Sequence, residues 1–350
     1  MAARNDLQSI GRSAFGRLGD GSEVERVVLA GQGLRLAVLS YGSVIQHLIV
    51  DTTDGPRPVT LGLESLDDYV RYSPHFGAIA GRFANRIRDG VFSLDGRSYQ
   101  LTRNENGRTS LHGGARGFGK RGWTVEEVTD DMVRLGLVSP DGDEGYPGRL
   151  TAHCTYRLVA PLTLAIELVA TSDAPTIVNL AAHSYFNLAG QGDIRDHRVQ
   201  LFCDRYLPVD ADLIPTGEIR PVADSPFDFR HMRQVQPAGQ PVTRYDHTFV
   251  AGLVESDTPR RMARVEAPDG ALALEVWSAE PGVQFYDGGK VAVPVAGTGG
   301  RQFGAFAGLC LEPQRFPNSP NQPGFTNAVL RPGDTYRQLT EYRFSIGGRA

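Results

Sequence analysis

Residues 179–188 read Asn-Leu-Ala-Ala-His-Ser-Tyr-Phe-Asn-Leu, and His183 within them is the first candidate for chemistry. Imidazole gives and takes a proton near neutral pH because its unperturbed pKa is about 6.5. The β-branched residues Thr176, Ile177 and Val178 before it read as the start of a strand. Alternation then sends His183 and Tyr185 to one face and Ser184 and Phe186 to the other. An imidazole and a phenol on one face can hydrogen-bond a polyhydroxylated ligand. The competing reading is a buried histidine satisfied by a backbone carbonyl. The second candidate is Glu312, at the end of the apolar run Leu309-Cys310-Leu311 and before Pro313. A carboxylate is rarely inside a protein unless it is paired or functional. The apolar approach places Glu312 at the mouth of a cleft; a surface-turn glutamate is the alternative. A carboxylate and an imidazole together make a general base and a general acid.

Four further segments carry side chains suited to hydroxyl recognition. Asn85 and Arg86 lie in Gly-Arg-Phe-Ala-Asn-Arg-Ile, where an amide and a five-donor guanidinium can hold vicinal hydroxyls. The plainer reading of that segment is a solvated turn with an arginine ion pair. His112 sits in Leu-His-Gly-Gly, whose glycines let backbone approach a ligand closely; an incidental histidine in a glycine-rich hairpin is equally open. Asp246, in Tyr-Asp-His-Thr-Phe, either accepts two hydroxyls or caps a turn. Gln284, in Pro-Gly-Val-Gln-Phe-Tyr, needs partners if buried, and a ligand hydroxyl is one candidate. Residues 141–148 start like a calcium loop, but the twelfth position from Asp141 is Ala152, so a turn between strands is the better reading. No other His/Cys/Asp/Glu group has zinc-ligand spacing in the sequence.

The elements that must position these groups are strands. Short runs with period-2 alternation cover residues 34–40, 44–50, 132–138, 150–159, 162–170, 197–203, 271–277 and 336–346. Only residues 67–70 suggest a helical turn. Glycine (41) and proline (22) punctuate the whole chain without a linker or repeat that would divide it. The expectation is an all-β fold, one large antiparallel domain of stacked sheets spanning residues 1–350. A net charge of −4 gives no argument for a nucleic-acid or membrane partner. Residues 1–10 lack the apolar core of a secretory signal, and no run of ~18 apolar residues occurs. Cys154, Cys203 and Cys310 lie in apolar runs as free buried thiols, which suits a reducing, cytoplasmic compartment.

Taken in order, seven segments resemble the aldose 1-epimerase (galactose mutarotase) family: GRFANRI, LHGG, DGDEGYPG, NLAAHSYFNL, YDHTF, PGVQFY and CLEPQ. The resemblance implies the large antiparallel β-sandwich of the galactose mutarotase-like supersandwich fold. It implies a cofactor-free, metal-free interconversion of the α and β anomers of a free monosaccharide such as galactose or glucose; monomer and homodimer both stay open as the assembly. It makes Glu312 the general base and His183 the general acid, placed on opposite sides of the sugar. Asn85, Arg86, His112, Tyr185, Asp246 and Gln284 fall on or beside sugar-contacting positions. Residues 290–303 depart from the family pattern next to the cleft. Two other readings remain: a non-catalytic sugar-binding sandwich, and a relative acting on a hexose phosphate, for which Arg82, Arg86 and Arg88 would have to converge.

Overall fold

Alternation along the chain is realised as antiparallel pairing throughout the larger sheets. The computed structural model describes residues 10–347, so the reading of residues 1–9 lies outside it. In strand Leu150–Val159 every second residue is buried, as a strand with one face on a core requires. It pairs with Met132–Ser139 on one side and Thr163–Ser172 on the other. These three belong to a nine-stranded sheet that continues through Tyr336–Ile346, Leu272–Ser278 and Arg260–Glu266. A six-stranded sheet contains Tyr185–Phe186, Leu309–Gln314, Gly282–Tyr286 and Asp246–Val250, in that order. A five-stranded meander begins at Gly11–Arg17 and ends at Gly55–Pro58.

One apolar cluster joins all three sheets. It takes Val27 and Leu36 from the meander, Leu135, Leu168 and Tyr342 from the nine-stranded sheet, and Phe249, Phe285 and Leu311 from the six-stranded one. Burying each such side chain contributes about 1.5–3 kcal/mol, so the stacking of sheets, not any single ladder, holds the sandwich together. The Phe186 and Tyr342 rings meet edge to face at 4.9 Å, fixing the six-stranded sheet against the nine-stranded one. The α-helix of the fold, Leu66–Tyr72, is two turns long and capped by Ser65, whose Oγ accepts from the Asp68 amide. It extends past the single turn expected at 67–70.

The stretch around His183 is not one continuous strand. Thr176–Ile177 pairs with Val329–Leu330, Ala181–His183 with Ala78–Ala80, and Tyr185–Phe186 with Leu309–Gln314. The breaks have a cause in Asn179. Its amide donates to the Ala84 and Arg315 carbonyls and accepts from the Arg315 N–H, so it ties three segments together instead of continuing a ladder. The result is a knot of backbone at the edge of the six-stranded sheet, and the candidate residues surround it.

Candidate active site

Two cross-strand rows set the floor of the site. Glu312 pairs with Gln284, which pairs with Thr248; Cys310 pairs with Tyr286, which pairs with Asp246. Side chains in such rows share a face. Tyr185 pairs with Cys310 from the other side, and the same register continued by two residues brings His183 opposite Glu312. The His183 Nε2 and Glu312 Oε2 atoms are 3.7 Å apart, side by side and too far for a hydrogen bond. The expectation of the two groups on opposite sides of the sugar therefore needs correction: both rise from one floor. That arrangement still suits proton exchange at two oxygens that share one carbon.

Above this floor lies a cavity of about 200 Å³. Of the eight residues singled out in the sequence, Asn85, Arg86, His112, His183, Tyr185, Asp246 and Glu312 line it. Gln284 does not. It stands behind Asp246, donating to its Oδ1 at 2.6 Å and accepting from the Thr248 hydroxyl at 2.6 Å. Tyr185 lines the wall with its ring, stacked 5.1 Å from His183, while its hydroxyl donates to the Pro74 carbonyl.

Arg86 is clamped. Its Nε and Nη2 bind both oxygens of Glu105 at 2.8 Å, and Nη1 lies 3.5 Å from Asp246 Oδ2. Burial works against the guanidinium charge, but the Glu105 hydrogen bonds and Asp246 outweigh it and raise its pKa. Arg82 and Arg88 do not join it. Arg82 is buried among the carbonyls of Pro147 and Gly148 and the Ser139 hydroxyl, and Arg88 pairs with Asp210. The three arginines do not converge, so the phosphate reading loses its basis.

Asn85 and His112 hold each other. The Asn85 N–H donates to His112 Nδ1 at 3.1 Å, and the His112 N–H donates to the Asn85 carbonyl at 3.0 Å. The Asn85 side-chain oxygen accepts from the Arg86 N–H, which leaves its NH₂ and the His112 Nε2–H for the cavity. Both residues have positive φ, 62° and 51°, a conformation that asparagine and histidine adopt more readily than most. The glycines after His112 serve a different approach from the one expected. A Cβ on Gly113 would sit 1.9 Å from the Gly81 carbonyl oxygen, and one on Gly114 would strike the Glu144 carboxylate. They let protein segments, not ligand, come close. The Glu144 carboxylate accepts from the Ala115 and Arg116 amides, so the 141–148 turn buttresses this loop.

Two lining residues, His75 and Glu105, carry no sign of a role in the sequence. His75 follows Pro74 and has φ 69°. Its ring centroid is 4.7 Å from that of His112 and 5.9 Å from that of His183. Glu105 lies in Asn-Glu-Asn-Gly, which reads only as a turn; its partner Arg86 is what gives it a role.

Burial dominates the ionisation of this site. It pulls His183 down to about 4 and His75 to about 3, and carries His112 well below the usual histidine range. All three rings are neutral at pH 7. Glu312 moves the other way: burial, then the nearby Asp246 charge, push it well above the carboxylate range, with Arg86 opposing. Burial thus favours the protonated form of Glu312, and Glu312 Oε2 is buried without a hydrogen-bond partner. Burial also raises the Cys310 thiol, whose sulfur lies 3.5 Å from His183 Nδ1.

Comparison with known proteins adds the following. The sequence model of the family described as aldose 1-epimerase matches residues 25–343. The galactose mutarotase of Sus scrofa is 42% identical over 351 aligned positions, covering 97% of this chain and all of that one. The aldose 1-epimerase of Escherichia coli (strain K12) is 36% identical, covering 89% of this chain and 92% of its own. Among solved structures, a GalM/aldose epimerase homologue from C. elegans superposes with a TM-score of 0.86 at 30% identity, over 92% of this chain and 99% of the other.

Proposed function

The chain belongs to the aldose 1-epimerase family and interconverts the α and β anomers of aldoses, and from that premise we propose how its own residues carry the reaction. Glu312 takes the proton of the sugar's C1 hydroxyl, and His183 delivers a proton to the ring oxygen. The C1–ring oxygen bond breaks as the C1 carbonyl forms. The aldehyde group turns about C1–C2, the hydroxyl returns to its other face, and the two proton transfers reverse. The observation that supports this reading best is Glu312 Oε2, buried without a hydrogen-bond partner 3.7 Å from His183 Nε2 at the floor of the cavity. An unsatisfied polar atom at the floor of a cavity is open to a hydrogen bond from a bound ligand.

The pair needs only one proton between its two members. Burial favours that proton on Glu312, and the reactive arrangement has it on His183. The two arrangements have equal net charge, so exchanging them needs no proton from solvent. Asn85, His112 and Arg86 present donors to the sugar hydroxyls, and Asp246 presents an acceptor. Gln284 and Thr248 keep Asp246 in place, which gives Gln284 a positioning role. The ring of Tyr185 packs beside His183 and limits its rotation.

Other readings go with this proposal. The chain works as one domain, as a monomer or homodimer, and its three buried free thiols favour a cytoplasmic setting. Among the described residues no helix is long and apolar enough to cross a membrane. The test is polarimetry of freshly dissolved α-anomers across a panel of aldoses, with calorimetric titration of the same sugars. Accelerated mutarotation of at least one aldose is expected. Sugar binding without any acceleration would instead make the chain a binding module.

A further inference from the structure

The fold brings together three groups that the sequence keeps apart. His183, Cys310 and Glu312 are all buried, and one ligand atom from each lies within 4.8 Å of the others. Cys310 and Glu312 are two apart on strand Leu309–Gln314 and so share a face, while His183 enters from the adjoining strand Ala181–His183. Nitrogen, sulfur and carboxylate oxygen are the donor set of zinc-like ions. Tetrahedral zinc, with bonds of about 2.0–2.3 Å, puts its ligand atoms on the order of 3.5 Å apart, so side-chain shifts of about 1 Å complete the site. His183 Nδ1 and Cys310 Sγ are already at 3.5 Å.

One feature beyond the donor set points to a cation here. Glu312 Oε2 is buried and has no hydrogen-bond partner. A neutral imidazole, a thiolate and a carboxylate supply two negative charges, which match a divalent ion. The cavity gives entry from solvent, because His183 and Glu312 both line it.

We propose that His183, Cys310 and Glu312 form an inhibitory binding site for a borderline-soft divalent cation of the zinc class at the floor of the sugar cavity. The proposal rests on the reading of His183 and Glu312 as the proton-transfer pair, because the ion silences turnover by occupying both. Binding exchanges the Cys310 S–H bond for a sulfur–metal bond and releases that proton, with a second released where Glu312 is protonated. No oxidant or reductant is involved. Hard ions such as Mg²⁺, which take oxygen ligands in octahedral geometry, are excluded by the donor set. Sugar and metal compete for the same two side chains.

The experiment uses the whole protein after chelator treatment. Co²⁺ is titrated first, read by its thiolate-to-metal absorption, and Zn²⁺ second, by calorimetry in two buffers to count protons. The expected results are one ion per chain, at least one proton released, and weaker binding in the presence of galactose. Polarimetry should show Zn²⁺ inhibition reversed by chelator and no inhibition by Mg²⁺. In Cys310→Ser, the ratio of rates with and without Zn²⁺ is compared with its own metal-free rate, and zinc affinity should fall at least ~10-fold, the scale that even an outer partner of a metal ligand carries. The absence of a thiolate-to-cobalt band in the wild type overturns the site, whatever the variant does. Equal zinc sensitivity in Cys310→Ser overturns it as well. A protein that shows the band and binds zinc but turns over no sugar leaves the site standing and overturns the proton-transfer reading instead.

Discussion

Arg86→Met removes the cation at the centre of the cavity's charge network while keeping an apolar stem of similar length. The wild-type guanidinium binds Glu105 through two hydrogen bonds of 2.8 Å and stands 3.5 Å from Asp246. Its side chain is 8% exposed, and those of its partners are 23% and 22% exposed. Breaking a fully buried pair costs about 3–5 kcal/mol; partial hydration of both carboxylates brings the expected loss of stability down to about 2–3 kcal/mol. The same loss of positioning in the transition state corresponds to a fall in kcat/KM of roughly 30- to 160-fold, at 1.36 kcal/mol per decade. The assays are urea denaturation and initial-rate polarimetry. Adding Glu105→Gln to Arg86→Met removes one uncompensated charge, so stability should recover in part while activity should not. A variant within ~3-fold of wild-type kcat/KM and with an unchanged urea midpoint would refute the idea that this network organises the site.

The other predictions follow from neighbouring features. Gln284→Leu should raise KM more than it lowers kcat, because Asp246 and Thr248 lose their partner while Glu312 and His183 stay in place; a KM unchanged by steady-state kinetics contradicts the positioning role. The profile of kcat/KM against pH should be bell-shaped, with the pair singly protonated on the plateau. Its acidic limb should lie near the depressed His183 value of about 4, and its basic limb should lie above the ordinary carboxylate range, where Glu312 loses the last proton. An acidic limb near pH 6.5 would mean that burial does not depress His183. His197 is buried, accepts from the Leu188 amide through Nε2, and has its pKa lowered by burial to about 4. Folding therefore keeps it neutral where the unfolded chain protonates it. The stability it contributes is fully present above pH ~6.5 and is lost as pH falls toward about 4, at up to about 1.4 kcal/mol per pH unit. His197→Gln, measured by thermal unfolding between those pH values, should take up about one proton fewer on unfolding; an unchanged slope contradicts this.

Strands were legible where burial is one-sided. Leu150–Val159 and Tyr336–Ile346 match the alternating runs at both ends because each puts alternate residues on the shared core. Alternation failed across residues 176–186, where Asn179 binds two other segments and each short strand takes a different partner. No local pattern encodes a partner that far away in sequence. Seven of the residues lining the candidate cavity were legible because chemistry-bearing residues stand out in apolar or glycine-rich runs, as His183, Glu312 and His112 do. Glu105 and His75 were not, since one is a turn residue until Arg86 reaches it and the other acquires its neighbours only on folding. Cys310 reads as a core thiol in sequence; only cross-strand register places it against His183. Residue type gives only an ordinary pKa, and burial, which the sequence does not display, moves those of His183 and Glu312.

The most direct test of the central claim is turnover by Glu312→Gln at saturating sugar. The amide keeps the shape and a hydrogen bond but cannot accept the C1 hydroxyl proton. With calorimetry confirming that galactose still binds, kcat measured by polarimetry should fall by ~100- to ~10,000-fold, the usual scale of general-base catalysis. His183→Asn combined with it should be little slower than the slower single variant, as for residues that act as one unit. Near-wild-type turnover by sugar-saturated Glu312→Gln would contradict the account.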